Sequence, residues 1–188
     1  MKILLASASP RRSQILKEAG FEFALLKLNV DESFPVEMPV REIPVYLAKK
    51  KMAEAEKYLD EKHIIITADT VVILGDEIIN KPIDVDDARK MLKKIAGKTH
   101  TVISGVYIST SHEKIIIEDS TDVIFEPMTD EEINFYIEHF QPFDKAGSYA
   151  IQEWIGLNKI ARIEGNYFNV VGFPMSKIYP VLKRLQST

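Results

Sequence analysis

Ile64-Ile65-Ile66-Thr67-Ala68-Asp69-Thr70-Val71-Val72-Ile73-Leu74 is an apolar run interrupted by a single charge, Asp69. Continuous apolar runs rich in Ile and Val read as strands buried on both faces, at the centre of a sheet covered by helices. Gly75-Asp76 then turns the chain into Ile78-Ile79, which predicts a hairpin at the end of this central strand.

Upstream, Lys2–Ser7 reads as a short buried strand and Pro10–Ala19 as a helix. Ser9 suits its N-cap, Pro10 its first position and Gly20 its stop. Glu22–Leu26 reads as a strand, and the acidic, proline-bearing stretch Leu28–Pro39 as a loop. Val45, Ala48, Met52, Ala55 and Leu59 are spaced 3-4-3-4 and predict an amphipathic helix. Downstream, Ala88, Met91, Leu92 and Ile95 mark a helix closed by Gly97. His100–Ser109 and Lys114–Glu126 form a β-rich pair around a short turn. Thr129-Asp130-Glu131-Glu132 is a capping-box pattern ahead of a helix carrying Ile133, Tyr136, Ile137 and Phe140. Ile160–Glu164 and Tyr167–Val171 around Gly165-Asn166 read as a last hairpin, and Pro174 opens a last helix. Crossovers and hairpins together predict an α/β fold with a mixed twisted sheet flanked by helices. The 188 residues contain no linker or repeat and predict one domain, 1–188, with room for two lobes.

A net charge of −4 argues against long nucleic acid as a partner, because such binding draws on a basic excess. Clustered basic residues still suffice for one small polyanion. With no cysteine, disulfides, thiolate catalysis and Cys-ligated zinc are excluded. No apolar run approaches the ~18 residues of a membrane span, and the opening strand-like Lys2–Ala6 is too short for a signal-peptide core, so the expected compartment is the cytoplasm.

Four segments are candidates for chemistry. Ser7-Ala8-Ser9-Pro10-Arg11-Arg12 is either a capped helix start with solvated arginines or a phosphate site. Two cations in a first helical turn oppose the helix dipole, and a bound phosphate would remove that conflict. Asp69 is either a strand-end aspartate bonded to nearby backbone or a metal ligand or general base, since a lone carboxylate in an apolar strand is costly to bury without a partner. Lys81, Lys51 and Glu32 read singly as solvated; Glu32 is also a candidate second metal carboxylate. In Lys145-Ala146-Gly147-Ser148-Tyr149-Ala150-Ile151-Gln152, Gly147 permits a close backbone approach and Gln152 offers a donor and an acceptor suited to a base edge. Gly97-Lys98-Thr99 is not a P-loop: the first glycine would fall at Leu92, and the segment runs from helix to strand. The four histidines lack zinc-ligand spacing, so any metal is a hard ion on oxygen ligands.

Taken in order, several strings resemble the Maf family of nucleotide pyrophosphatases over nearly the whole chain. They are Leu5–Arg12, Asp31-Glu32, Leu47-Ala48-Lys49-Lys50-Lys51, Ala68-Asp69-Thr70-Val71-Val72, Asn80-Lys81-Pro82, Gly97–Val102, Lys145–Tyr149 and Val170–Pro174. The resemblance implies a fold like the inosine triphosphate pyrophosphatases, with two lobes around a nucleotide cleft. It implies hydrolysis of dTTP and UTP to the monophosphate and pyrophosphate with a divalent cation, Mg²⁺ or Mn²⁺. Asp69 matches the family's proton acceptor. Arg11, Thr70 and Gln152 match positions tied to substrate choice, and Glu32, Arg12, Lys51 and Lys81 match polar cleft positions. On this reading Asp69 with Glu32 holds the metal, and Ser7, Ser9 and the basic residues meet the phosphates. A homodimer is also implied. The chain departs from the family pattern at Met52 (usually alanine), Lys98 (commonly arginine) and Ala150 (usually glycine). Rival readings are a non-catalytic nucleotide- or nucleic-acid-binding regulator of cell division, after the family's septum-formation phenotype, and a nucleotide-binding module without turnover.

Overall fold

The protein is described from a computed structural model covering residues 1–187. Its strands form one seven-stranded mixed sheet: β1 (Lys2–Ala6), β2 (Phe23–Leu25), β3 (His63–Leu74), β4 (Glu77–Ile79), β5 (Thr99–Ser109), β6 (Lys114–Phe125) and β7 (Ile160–Glu164). The order is β2-β1-β3-β5-β6-β7, with β4 paired to β3 off that path. Helices interleave as α1 (Pro10–Glu18), α2 (Ile43–Ala55), α3 (Val85–Ile95), α4 (Asp130–Phe140), α5 (Trp154–Asn158), α6 (Tyr167–Val171) and α7 (Met175–Ser187). The apolar run thus sits where expected, on an interior strand. The chain divides into two compact units, and β3, β5 and β6 contribute to both.

The first unit comprises residues 1–69, 104–119 and 172–187. Here β1 runs parallel to both neighbours, Ile3 lying opposite Phe23 on β2 and Ile64 on β3. Helical crossovers link these strands, as parallel pairing requires. Ala6, Met52, Ala55 and Ile65 form a core, with Leu4, Leu26, Leu28, Leu59 and Tyr107 packed against it. The second helix begins at Ile43 and ends at Ala55; Leu59, expected on its stripe, follows a 3₁₀ turn over Glu56–Tyr58. Buried Thr67 donates its hydroxyl proton to the Ala48 carbonyl at 2.7 Å, fixing α2 on β3. The start of α2 also presses on Gly105 of β5: a β-carbon there would lie 2.5 Å from the Val45 nitrogen and 2.6 Å from the Pro44 carbonyl carbon.

The second unit comprises Thr70–Ile103 and Ser120–Val171. Two antiparallel pairs lie here: Val72 faces Ile79 across the β3–β4 hairpin, and Val123 faces Ile163 across β6–β7. Val72, Leu92, Val123, Phe125, Tyr136 and Ile155 belong to its core. The capping box forms as predicted: Thr129 accepts from the Glu132 N–H at 3.2 Å, and Glu132 accepts from the Thr129 N–H at 2.8 Å. One element differs in kind. Tyr167–Val171 is a helix, not the second strand of a hairpin. Asn166 redirects the chain, its side chain accepting the Phe168 N–H at 2.9 Å while its carbonyl accepts the Asn169 N–H at 3.1 Å. Buried Asn169 then donates to the Val102 carbonyl at 3.0 Å and the Thr121 hydroxyl at 2.9 Å, seating the short helix. A side-chain cap thus outweighs the strand preference of two valines and two aromatics.

His100 is buried in this unit, 2.7 Å from the Tyr149 hydroxyl and edge-on to Phe125. Burial lowers its pKa to about 4, against a smaller upward pull from Asp122.

Gly105→Ala is expected to cost about 3 kcal/mol, because the methyl meets backbone that cannot yield without moving α2; urea unfolding at neutral pH checks it. His100 gives a second expectation. The unfolded chain takes up this proton below a pKa of about 6.5, whereas the folded protein resists until about 4. Stability from this group is therefore full above pH 6.5 and falls on acidification, by about 2 kcal/mol at pH 5. Urea titrations at pH 7 and pH 5 should show a loss in the wild type that exceeds the loss in His100→Gln by that amount.

Candidate active site

Within the first unit, β1 delivers Ser7-Ala8-Ser9 to the start of α1. Pro10 occupies the first helical position, and no acidic residue stands in the first turn. The expected Ser9 cap is not made: Ser9 holds the N-cap place with extended backbone, but its hydroxyl makes no capping bond. Its N–H instead donates to the Ser7 hydroxyl oxygen at 3.2 Å. Arg12 turns back across this segment. Its Nε donates to the Gly172 carbonyl at 2.9 Å, and its Nη1 to the Ala68 carbonyl at 2.8 Å and the Ser7 hydroxyl at 3.2 Å. One guanidinium therefore ties the end of β1, the residue before Asp69 and the chain entering α7. Burial lowers the Arg12 pKa; Asp69 and Glu32 pull it back up, and Arg11 pushes it down. A guanidinium stays charged through such shifts.

Lys51, on α2, lies between two carboxylates. Its Nζ is 2.5 Å from Asp69 Oδ1 and 2.7 Å from Glu32 Oε1. The Lys51 and Asp69 side chains are only 14 % and 13 % exposed, whereas that of Glu32, on its loop, is 51 % exposed. The neighbouring Lys50 holds the same loop. Its Nζ donates to Asp31 Oδ2 at 3.0 Å and to the Ser33 carbonyl at 2.9 Å. Hydrogen bonds from Ser33 and Lys50 hold the Asp31 carboxyl well below its ordinary pKa. Two consecutive lysines thus engage two consecutive acids. That match of charge runs is visible in the sequence, but its partners are not.

The second unit carries Thr70, Lys81 and Gln152. Lys81 and Gln152 are both exposed. The Gly147 N–H donates to the Asn80 carbonyl at 3.1 Å, joining the segments that present Lys81 and Gln152. Gly147 has φ 75°, and a β-carbon there would lie 3.0 Å from a Val72 methyl. Behind Gln152 is a network the sequence did not disclose. The Tyr136 hydroxyl accepts the Ala150 N–H at 3.0 Å and donates to Glu153. Nearly buried Lys145 pairs with Asp144 at 2.8 Å and Glu153 at 3.5 Å. Burial, then Glu153, pushes the Tyr136 phenol well above its usual range.

Among the described residues no group of three or more His, Asp or Glu is placed to hold a metal ion. Asp69 and Glu32 converge on one cationic atom, and that pair fits a hard ion of the Mg²⁺ type, which takes one or two carboxylates and completes its shell with substrate phosphates and water.

The fold and this cluster define an α/β protein with a mixed sheet and a compact charged site on Asp69, which lies inside β3 and not at a strand end. The chain belongs to the Maf-like protein family, which it matches over residues 2–185. A relative from Phocaeicola vulgatus named dTTP/UTP pyrophosphatase is 44 % identical over 185 residues, 98 % of this chain and 96 % of that protein. One of the same name from Cytophaga hutchinsonii is 43 % identical over 183 residues, 97 % of this chain and 84 % of that protein. Among solved structures, the Staphylococcus aureus Ham1 protein aligns with 66 % of this chain and 72 % of its own, at TM-score 0.49 and 14 % identity.

Arg12→Lys is expected to lower stability by about 2 kcal/mol, because a single ammonium cannot reach the acceptors that the planar guanidinium bridges. Thermal and urea unfolding of the purified variant check it.

Proposed function

We propose that this protein hydrolyses dTTP and UTP between the α- and β-phosphates, releasing the nucleoside monophosphate and pyrophosphate. Membership of the family and the names of its relatives support the reaction class. The observation that carries the reading to particular residues is Asp69: a carboxylate inside the apolar strand β3, paired with Lys51 at 2.5 Å. Asp69 is the proposed acceptor of the proton from the attacking water. The water oxygen bonds to the α-phosphorus, the bond from that phosphorus to the bridging oxygen breaks, and pyrophosphate leaves with the electron pair. Arg11 and Lys51 offset charge on the phosphates, and Arg12 keeps the Ser7–Arg12 segment in place while contributing its own charge. Asp69 and Glu32 are the proposed ligands of Mg²⁺ or Mn²⁺, which when bound would neutralise part of the triphosphate charge. Thr70, Lys81 and Gln152 are proposed as further substrate contacts, with Gln152 reading the pyrimidine edge through its donor and acceptor. The proposed compartment is the cytoplasm; no described helix is long and apolar enough to cross a membrane.

The test is pyrophosphate release from a panel of dTTP, UTP, CTP, dATP and 7-methyl-GTP with Mg²⁺ or Mn²⁺. The expected result is preference for dTTP and UTP, with Asp69→Asn lowering kcat by about 10³-fold and leaving the circular dichroism spectrum native. Near-normal turnover in pure Asp69→Asn rejects the assignment. Tight dTTP binding without pyrophosphate release rejects the enzyme in favour of a binding module.

A further inference from the structure

The geometry points to Lys51 as the resting counter-ion of the metal site. Its ammonium holds the position between Asp69 and Glu32 that a divalent cation would take, so that metal alone binds weakly and binds well once a triphosphate draws the ammonium away. The inference rests on the reading above that these two carboxylates are the metal's ligands.

Three observations carry it. First, one ammonium serves two carboxylates, at 2.5 Å and 2.7 Å, with both Lys51 and Asp69 largely withdrawn from water. A Mg²⁺ ion needs carboxylate oxygens at about 2.0–2.1 Å, and it cannot share that contact with an ammonium already there. Second, the cluster has no acidic charge to spare at rest: Asp69 and Glu32 already face Lys51 and Arg12, and the Arg12 guanidinium feels Arg11 as well as both carboxylates. A divalent ion added alone brings two further positive charges to this cluster, whereas a polyanionic triphosphate offsets them. Third, Lys50 holds Asp31 and Ser33 on either side of Glu32. The loop therefore keeps its own anchor when Lys51 leaves, and the lysine's four-carbon stem lets its ammonium move to a phosphate without moving α2.

The test is Mn²⁺ binding without nucleotide, read from the electron paramagnetic resonance signal of free Mn²⁺, with folding checked by circular dichroism. Lys51→Met and Lys51→Gln are expected to bind Mn²⁺ at least tenfold more tightly than the wild type. Lys49→Gln removes the same formal charge from the same helix without vacating the position between the carboxylates, and should match the wild type. Unchanged or weaker binding in both folded Lys51 variants overturns the inference, as does equal tightening by Lys49→Gln. Asp69→Asn separates this from failure of the underlying reading. Loss of Mn²⁺ binding there keeps Asp69 as a ligand whatever Lys51 does, whereas undiminished binding overturns the ligand assignment and the inference with it.

Discussion

The contact between Asp69 and Lys51 is the interaction on which the arrangement of the site depends. An ionised carboxylate in an apolar strand is tolerated only with a partner, and the partner here comes from α2, the helix that crosses from β2 to β3. The position of that helix is set independently of charge. Thr67 bonds its Ala48 carbonyl, Met52 and Ala55 fill the core, and the missing side chain at Gly105 admits its first turn. Core packing therefore decides where the ammonium can be, and there it meets Glu32, whose loop is held by the neighbouring Lys50 through Asp31 and Ser33. The order of causes runs from apolar burial to charge placement, which is why the site is compact without a dense array of acids.

Arg12 works against the helix start in one sense and for it in another. Cations in a first turn face the positive end of the helix dipole, and no capping hydroxyl or acidic residue relieves them. The three oxygens that Arg12 engages, on Gly172, Ala68 and Ser7, supply the compensation, together with the fields of Asp69 and Glu32. The bare sequence left open whether Ser7–Arg12 was a capped start with solvated arginines or an anion site. The structure shows no serine cap, and Arg12 is a brace, which keeps the segment ordered with cationic charge beside the carboxylate cluster.

What was legible in the sequence had local causes. The central strand, the β3–β4 hairpin and the Thr129–Glu132 box depend on residues within a few positions of each other, and each formed as read. Asp69 and the lysine run stood out because charge in an apolar strand, and three cations on one helix, are visible without a fold. What was not legible had distant or backbone partners. Arg12 bonds carbonyls 56 and 160 positions away, and a carbonyl has no signature in a sequence. Tyr167–Val171 was misread because its residue types favour a strand, whereas its conformation follows from Asn166 and from the bonds of Asn169 to Val102 and Thr121.

Ala150 shows how a departure from a family pattern is absorbed. Glycine is usual there, and an alanine two residues before Gln152 raises the question of whether the backbone presenting Gln152 can keep its course. The Ala150 residue is 6 % exposed, so its methyl is buried beside the core, and its N–H remains bonded to the Tyr136 hydroxyl at 3.0 Å. Tyr136 is itself held by Glu153, which Lys145 approaches at 3.5 Å. The segment is thus fixed on both sides of Gln152, at Ala150 through the phenol and at Glu153 through its carboxylate, while the Gln152 side chain stays exposed. A side chain anchored through its neighbours is free to use both ends of its amide on a ligand. The rigidity that the proposed contact of Gln152 with a base would draw on comes from Tyr136, Glu153 and Lys145.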